Sequence, residues 1–213
     1  MATVRYFTCS AAEHANVENV LQASIPPAAL RAAVLDAATR AVSWTSNAVG
    51  ALNISPRSAN TRTLFREAFS AFPEVVPPWR PATASWVDFG GLAAIRLTRA
   101  ATIINGGWIR YFCWGSAAHC PECTVSPTTY FACSSFRGRY HICLGDGFWR
   151  AFSARDTATM ASTLLHEALH IYFSRTVADT RRTGNANCYE RFVVRLNRLN
   201  LHPATVGACP AFP

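Results

Sequence analysis

Apolar residues recur at helical spacing through the first third of the chain. Leu30, Val34, Leu35, Ala38, Val42 and Trp44 fall on one side of a helix running from Ala28 to Trp44, with Pro26-Pro27 at its first turn. A shorter helix is expected before it, from about Ala11 to Gln22. A third follows, with Asn60 as candidate N-cap and Leu64, Phe65, Ala68, Phe69 and Phe72 on one face. Pro73, Pro77, Pro78 and Pro81 then stop the helical pattern and predict an extended connection, which Val75, Val76 and Trp79 would hold against the protein.

Beyond the prolines the pattern shortens to β-like runs. Ala101–Ile104 and Trp108–Phe112 flank Asn105-Gly106-Gly107, which reads as a hairpin-like turn, and Tyr130–Cys133 and Arg139–Leu144 read as further strands. Gly145-Asp146-Gly147 breaks the last of these, and Phe148 and Trp149 lead to a helix start near Asp156-Thr157. A final helix is expected from Asn187 to Leu199. These elements predict an α+β fold in a single domain, 1–213, with a helical N-terminal portion over 1–72 and a small antiparallel or mixed sheet plus two helices over 83–213.

The stretch Ser162-Thr-Leu-Leu-His166-Glu167-Ala-Leu-His170 carries the candidate chemistry. Residues four apart lie one above the other on a helix, so His166 and His170 can offer both imidazoles to one cation with Glu167 beside them. This HExxH spacing is the zincin arrangement, in which two neutral nitrogens hold one Zn²⁺ and the carboxylate is general base for water attacking a carbonyl. The flanking Met160, Ala161, Leu164, Leu165, Leu169, Ile171, Tyr172 and Phe173 are apolar nearly all round, which predicts a buried helix in which unpaired His and Glu would be costly. In zincin-like folds an edge strand binds the substrate backbone by strand addition; Arg139–Leu144, with Tyr140, His141 and Ile142, is the candidate.

Composition narrows the setting. Half the residues are hydrophobic and 15% charged, which excludes a disordered chain, and no run of 18 apolar residues exists to span a membrane. The formal charge is +8 and every basic residue is arginine, but the arginines are scattered and form no nucleic-acid motif. Eight cysteines, at 9, 113, 120, 123, 133, 143, 188 and 209, fit up to four disulfides and an oxidising compartment. A structural zinc at Cys120-Pro-Glu-Cys123 is the alternative. The expected setting is therefore secreted, although the N-terminus shows no apolar leader. A leader has been removed, or the protein leaves its cell by another route.

A catalytic zinc needs a third protein ligand. Asp179, nine residues after His170, and Glu190, 20 after it and on the last helix, are rivals by spacing; Glu190 matches the gluzincin pattern. His202 is a further candidate. Tyr140-His-Ile-Cys-Leu, Phe148-Trp149, His166-Glu-Ala-Leu-His170, Asp179 and Asn185-Ala-Asn-Cys-Tyr-Glu-Arg-Phe192 together resemble the deuterolysin and peptidyl-Lys metalloendopeptidase family, the aspzincins. The resemblance implies His166, His170 and Asp179 as ligands of one Zn²⁺, Glu167 as general base, Glu190 as a supporting residue, and a peptide or protein substrate. Arg182 stands where the family has an oxyanion-steadying tyrosine, so Arg182 or the nearby Tyr189 takes that role. Asn187 stands where lysine-specific members have an aspartate that reads the substrate ammonium; without that charge it binds substrate differently or caps the last helix. The expectation is a monomeric zinc metalloendopeptidase acting on neither nucleic acid nor membrane. A cysteine-rich binding module with a relic HExxH, and a toxin delivered into another cell, are the competing readings.

Overall fold

The computed structural model describes residues 2–113, 123, 130–135, 140–175 and 185–201. In chain order the elements are β1 (Tyr6–Thr8), α1 (Ala11–Leu21), α2 (Pro27–Asn53), α3 (Ala59–Phe69), α4 (Phe89–Asn105), β2 (Arg110–Cys113), β3 (Ala132–Ser135), β4 (His141–Leu144), α5 (Asp146–Ser153), α6 (Thr157–Arg175) and α7 (Ala186–Leu196). The fold is α+β, and among the described residues no helix is long and apolar enough to cross a membrane.

Local chemistry sets the helix starts. Ser10 and Glu13 form a reciprocal capping box on α1, and Pro27 opens α2. Ser58 caps α3 through the Thr61 N–H, so the cap lies two residues before the expected Asn60. α2 continues to Asn53, nine residues past Trp44. Its buried stripe is Leu30, Val34, Ala37, Ala38, Ala41, Thr45, Ala48 and Leu52, whereas Leu35 is exposed and Val42 and Trp44 only half-buried. Val75 and Val76 are exposed rather than covered.

The expected hairpin around Asn105-Gly106-Gly107 is instead the end of α4. Leu92, Ala93, Arg96, Leu97, Ala100, Ile103 and Ile104 recur at three- and four-residue intervals and are all buried, a helical period that reaches through Ala101–Ile104. Gly106 stops the helix, and Gly107, at φ 66°, turns the chain into β2. α5 also forms where only a lead-in to the next helix was expected, burying Phe148 and Trp149 in one turn.

The sheet has the order β1-β2-β4-β3, with β1, β2 and β4 parallel and β3 antiparallel to β4. One apolar core joins residues of all seven helices to the inner sheet face, and α2 packs on both α4 and α6. Disulfides join Cys9 to Cys113, binding β1 to β2, and Cys123 to Cys133; Cys143 and Cys188 are disulfide-bonded as well. Cys123 is thereby removed from the alternative structural zinc, since a disulfide sulfur is no thiolate ligand.

Candidate metal centre

The metal helix of the sequence is α6. Its N-terminus is closed by Asp156, whose carboxylate accepts from the Thr159 N–H and hydroxyl. From Thr159 to Ile171 every side chain is buried except His166 and His170, so this otherwise enclosed helix opens at two imidazoles.

The two rings cross edge to face, with centroids 4.6 Å apart, and their Nε2 atoms converge to 2.9 Å. Two nitrogens held tetrahedrally by zinc lie about 3.3 Å apart, so the observed separation is a few tenths of an ångström short of that spacing. On its far side His166 donates from Nδ1 to Glu190 Oε2 at 2.9 Å, and Glu190 is 1% exposed. That contact fixes the tautomer: Nδ1 carries the proton and Nε2 keeps its lone pair, directed at His170. Glu190 therefore stands behind His166, on the ring nitrogen opposite the point of convergence, and not beside that point as a third ligand would.

Burial pushes the Glu167 carboxyl up, against the opposing pull of His166 and of nearby Ser134. For His166, burial works downward but is outweighed by Glu190 and Glu167, which leave it raised. Burial, with His166 alongside, pulls His170 from 6.5 down to about 4. Neutral His170 at ordinary pH is the form that binds a metal.

Among the described residues no third His, Cys, Asp or Glu completes a metal site with this pair. Asp179, Arg182 and His202 lie outside the described residues. Tyr189 is fully buried, packed on Phe69 and Phe173, with its hydroxyl held by Arg96 Nη1 at 3.0 Å; this corrects its proposed place at an oxyanion in an open cleft. Asn187 does not cap the last helix: Asn185 does, its side chain accepting from the Asn187 N–H.

The substrate strand also needs correction. His141 and Ile142 lie on β4, which is hydrogen-bonded to β2 on one side and β3 on the other, so that strand has no edge to offer. Ile142 is fully buried, His141 lies against the Phe112 ring, and Tyr140, just ahead of the strand, packs against Trp108. Among the described residues the outer edge near α6 belongs to β3, which packs against that helix. Two residues near this site had no place in the sequence reading. Ser134 on β3 meets Glu167, and the buried Arg96 on α4 lies over the Phe173 ring and holds Tyr189. Alternation along β3 was the available signal for Ser134, and the helical period through 92–104 was the one for Arg96.

Compared with protein-family models, with curated proteins and with solved structures, the chain matches none of them.

Proposed function

We propose that the chain is a zincin-like, zinc-dependent metalloendopeptidase with an aspzincin-type ligand set of His166, His170 and Asp179. The observation that carries this reading is the convergence of two Nε2 atoms at 2.9 Å, with one ring fixed from behind by Glu190 and the buried Glu167 next to it. Two convergent imidazoles, one of fixed orientation, and a carboxylate from the following segment as third ligand suit zinc, which takes nitrogen and oxygen donors in a tetrahedron with one position left open. When bound there, zinc would supply Lewis acidity that polarises a carbonyl and makes water acidic near neutral pH.

The chain's own residues supply the rest. Glu190 holds His166 in the tautomer whose Nε2 can ligate. Glu167, raised toward neutrality by burial, accepts the proton of the attacking water and returns it to the departing amine nitrogen. The outer edge of β3 pairs with an extended peptide and lays the scissile bond across the front of α6. Arg182, with a guanidinium suited to a developing negative oxygen, is the proposed oxyanion partner.

The test is Glu167→Gln in the full chain. Zinc content should stay at one per chain while cleavage of casein, sensitive to phenanthroline in the parent protein, falls by at least about a thousandfold. Retained cleavage in that variant would remove Glu167 as the base. A parent protein that holds zinc and binds, but does not cut, a range of peptides would favour the binding module.

A further inference from the structure

Away from the imidazole pair, the chain encloses an open cleft of about 890 Å³ that no residue of α6 or α7 lines. Its floor is one side of α4, where Gly91, Ile95 and Arg99 follow at four-residue steps. One wall is the end of α2 with the turn after it, 52–57, and the other is the segment 85–88 that leads into α4. Arg57 ties the two walls together: it donates to the Leu52 carbonyl at 2.7 Å and to both Asp88 carboxylate oxygens, at 2.7 and 3.0 Å. The cleft is therefore braced by the fold itself.

Its lining is apolar with one unmatched charge. Ile54 and Val87 are 63% and 73% exposed, and they share the cleft with half-buried Trp86 and Ile95. Single exposed apolar residues are ordinary, but several around one cavity offer an apolar surface to a ligand. Three arginines and two carboxylates line the same space. Asp88 neutralises Arg57, and Glu74 neutralises Arg62 at 3.3 Å. Arg99 is exposed and makes no ion pair or hydrogen bond among the described residues, which leaves a surplus of one positive charge. It stands eight residues along α4 from Gly91, about 12 Å at the rise of a helix.

We propose that this cleft binds an organic monoanion, its carboxylate held by Arg99 and its apolar body laid along α4 toward Trp86 and Val87. The single unmatched cation selects a single negative charge, since a second would meet Glu74 or Asp88. The spacing between Arg99 and Gly91 suits an apolar body of up to about 12 Å. Two sources carry this chemistry, a free medium-chain fatty acid and the C-terminal carboxylate of an apolar peptide. The site stands apart from the peptidase reading and does not rest on it.

The experiment is calorimetric titration of the full chain with octanoate against 1-octanol, and with N-acetyl-dileucine against its C-terminal amide. At least one carboxylate should bind with Kd below about 1 mM and about fivefold more tightly than its uncharged partner, a preference that salt weakens. Arg99→Gln should abolish that preference and Arg99→Lys should keep it. Ile54→Ser should weaken charged and uncharged ligands alike, by about threefold. Arg99 and Ile54 are both exposed, so neither change disturbs the core. Octanoate binding alone makes the occupant a fatty acid, and peptide binding alone makes it a chain terminus. The proposal is overturned if neither carboxylate binds below about 1 mM, or if the preference for the anion survives Arg99→Gln.

Discussion

Glu190 accepts a hydrogen bond from a ring that is itself half-buried, so removing it does two separable things. Glu190→Ala should cost about 3 kcal/mol of stability, because His166 Nδ1 loses its buried partner, and should weaken zinc binding by about 10- to 100-fold. Asp179→Ala should weaken zinc binding further still. Competition with a chromogenic chelator gives the order, and the reverse order would make Glu190 the ligand. A second residue-scale prediction concerns the metal-free protein. His170 titrates at about 4 when folded and near 6.5 when unfolded, so the unfolded chain binds more protons between those values. The His170 contribution to stability should therefore rise with pH from about 4 to 6.5 and fall as pH drops through that window, while Glu167, displaced upward, contributes the opposite slope above 4.5. His166, displaced upward, contributes the opposite slope above 6.5. Urea midpoints measured against pH for the parent and for His170→Gln should differ by that slope, the parent gaining on the variant as pH rises from about 4 to 6.5. His166, Glu167 and His170 were legible because four-residue spacing on a helix is a local fact. Ser134 and Arg96 were not, since their meaning comes from elements 33 and 93 residues away in the chain.

At the scale of elements, the start of α4 is held by one carboxylate with two duties. Asp88 accepts from the Gly91 N–H as N-cap and forms a two-point ion pair with Arg57, which also donates to the Leu52 carbonyl at the end of α2. Asp88→Ala should cost about 3 kcal/mol in urea unfolding, from a lost cap and a largely buried guanidinium deprived of its two-point partner, with only the longer Glu74 contact and the Leu52 carbonyl left. Gly90 lies beneath this clamp. A Cβ there would sit 2.8 Å from the pinned guanidinium, so Gly90→Ala should destabilise by about 1–3 kcal/mol. α4 is also where element reading went astray: Thr102, Ile103 and Ile104 before Asn-Gly-Gly look like half a hairpin, and only a wider window shows the helical stripe from Leu92 onward. β4 misled differently. Its four residues are all buried, the mark of an interior strand, while an edge role was expected from its place just ahead of the HExxH helix.

Across the whole molecule, Cys9–Cys113 closes 104 residues of chain and secures the outermost strand. Replacing both cysteines by alanine should lower unfolding stability by about 4 kcal/mol, read from denaturant midpoints, by freeing the denatured chain. The α+β class and the progression from helices to sheet to the HExxH helix could be read from periodicity. The strand order could not, because the pairing of β1 with β2 spans a hundred residues and leaves no local mark.

That long pairing also orders events in time as the chain is made. Within residues 1–112 Cys9 is the lone cysteine, so none of the helices from α1 to α4 carries a thiol with which it could form a wrong bridge. β1 gains its neighbour when Cys113 follows, and the imidazole pair is synthesised later still. The Cys9–Cys113 bridge would thus close only after the helices from α1 to α4 are made, and the proposed metal site would follow later still.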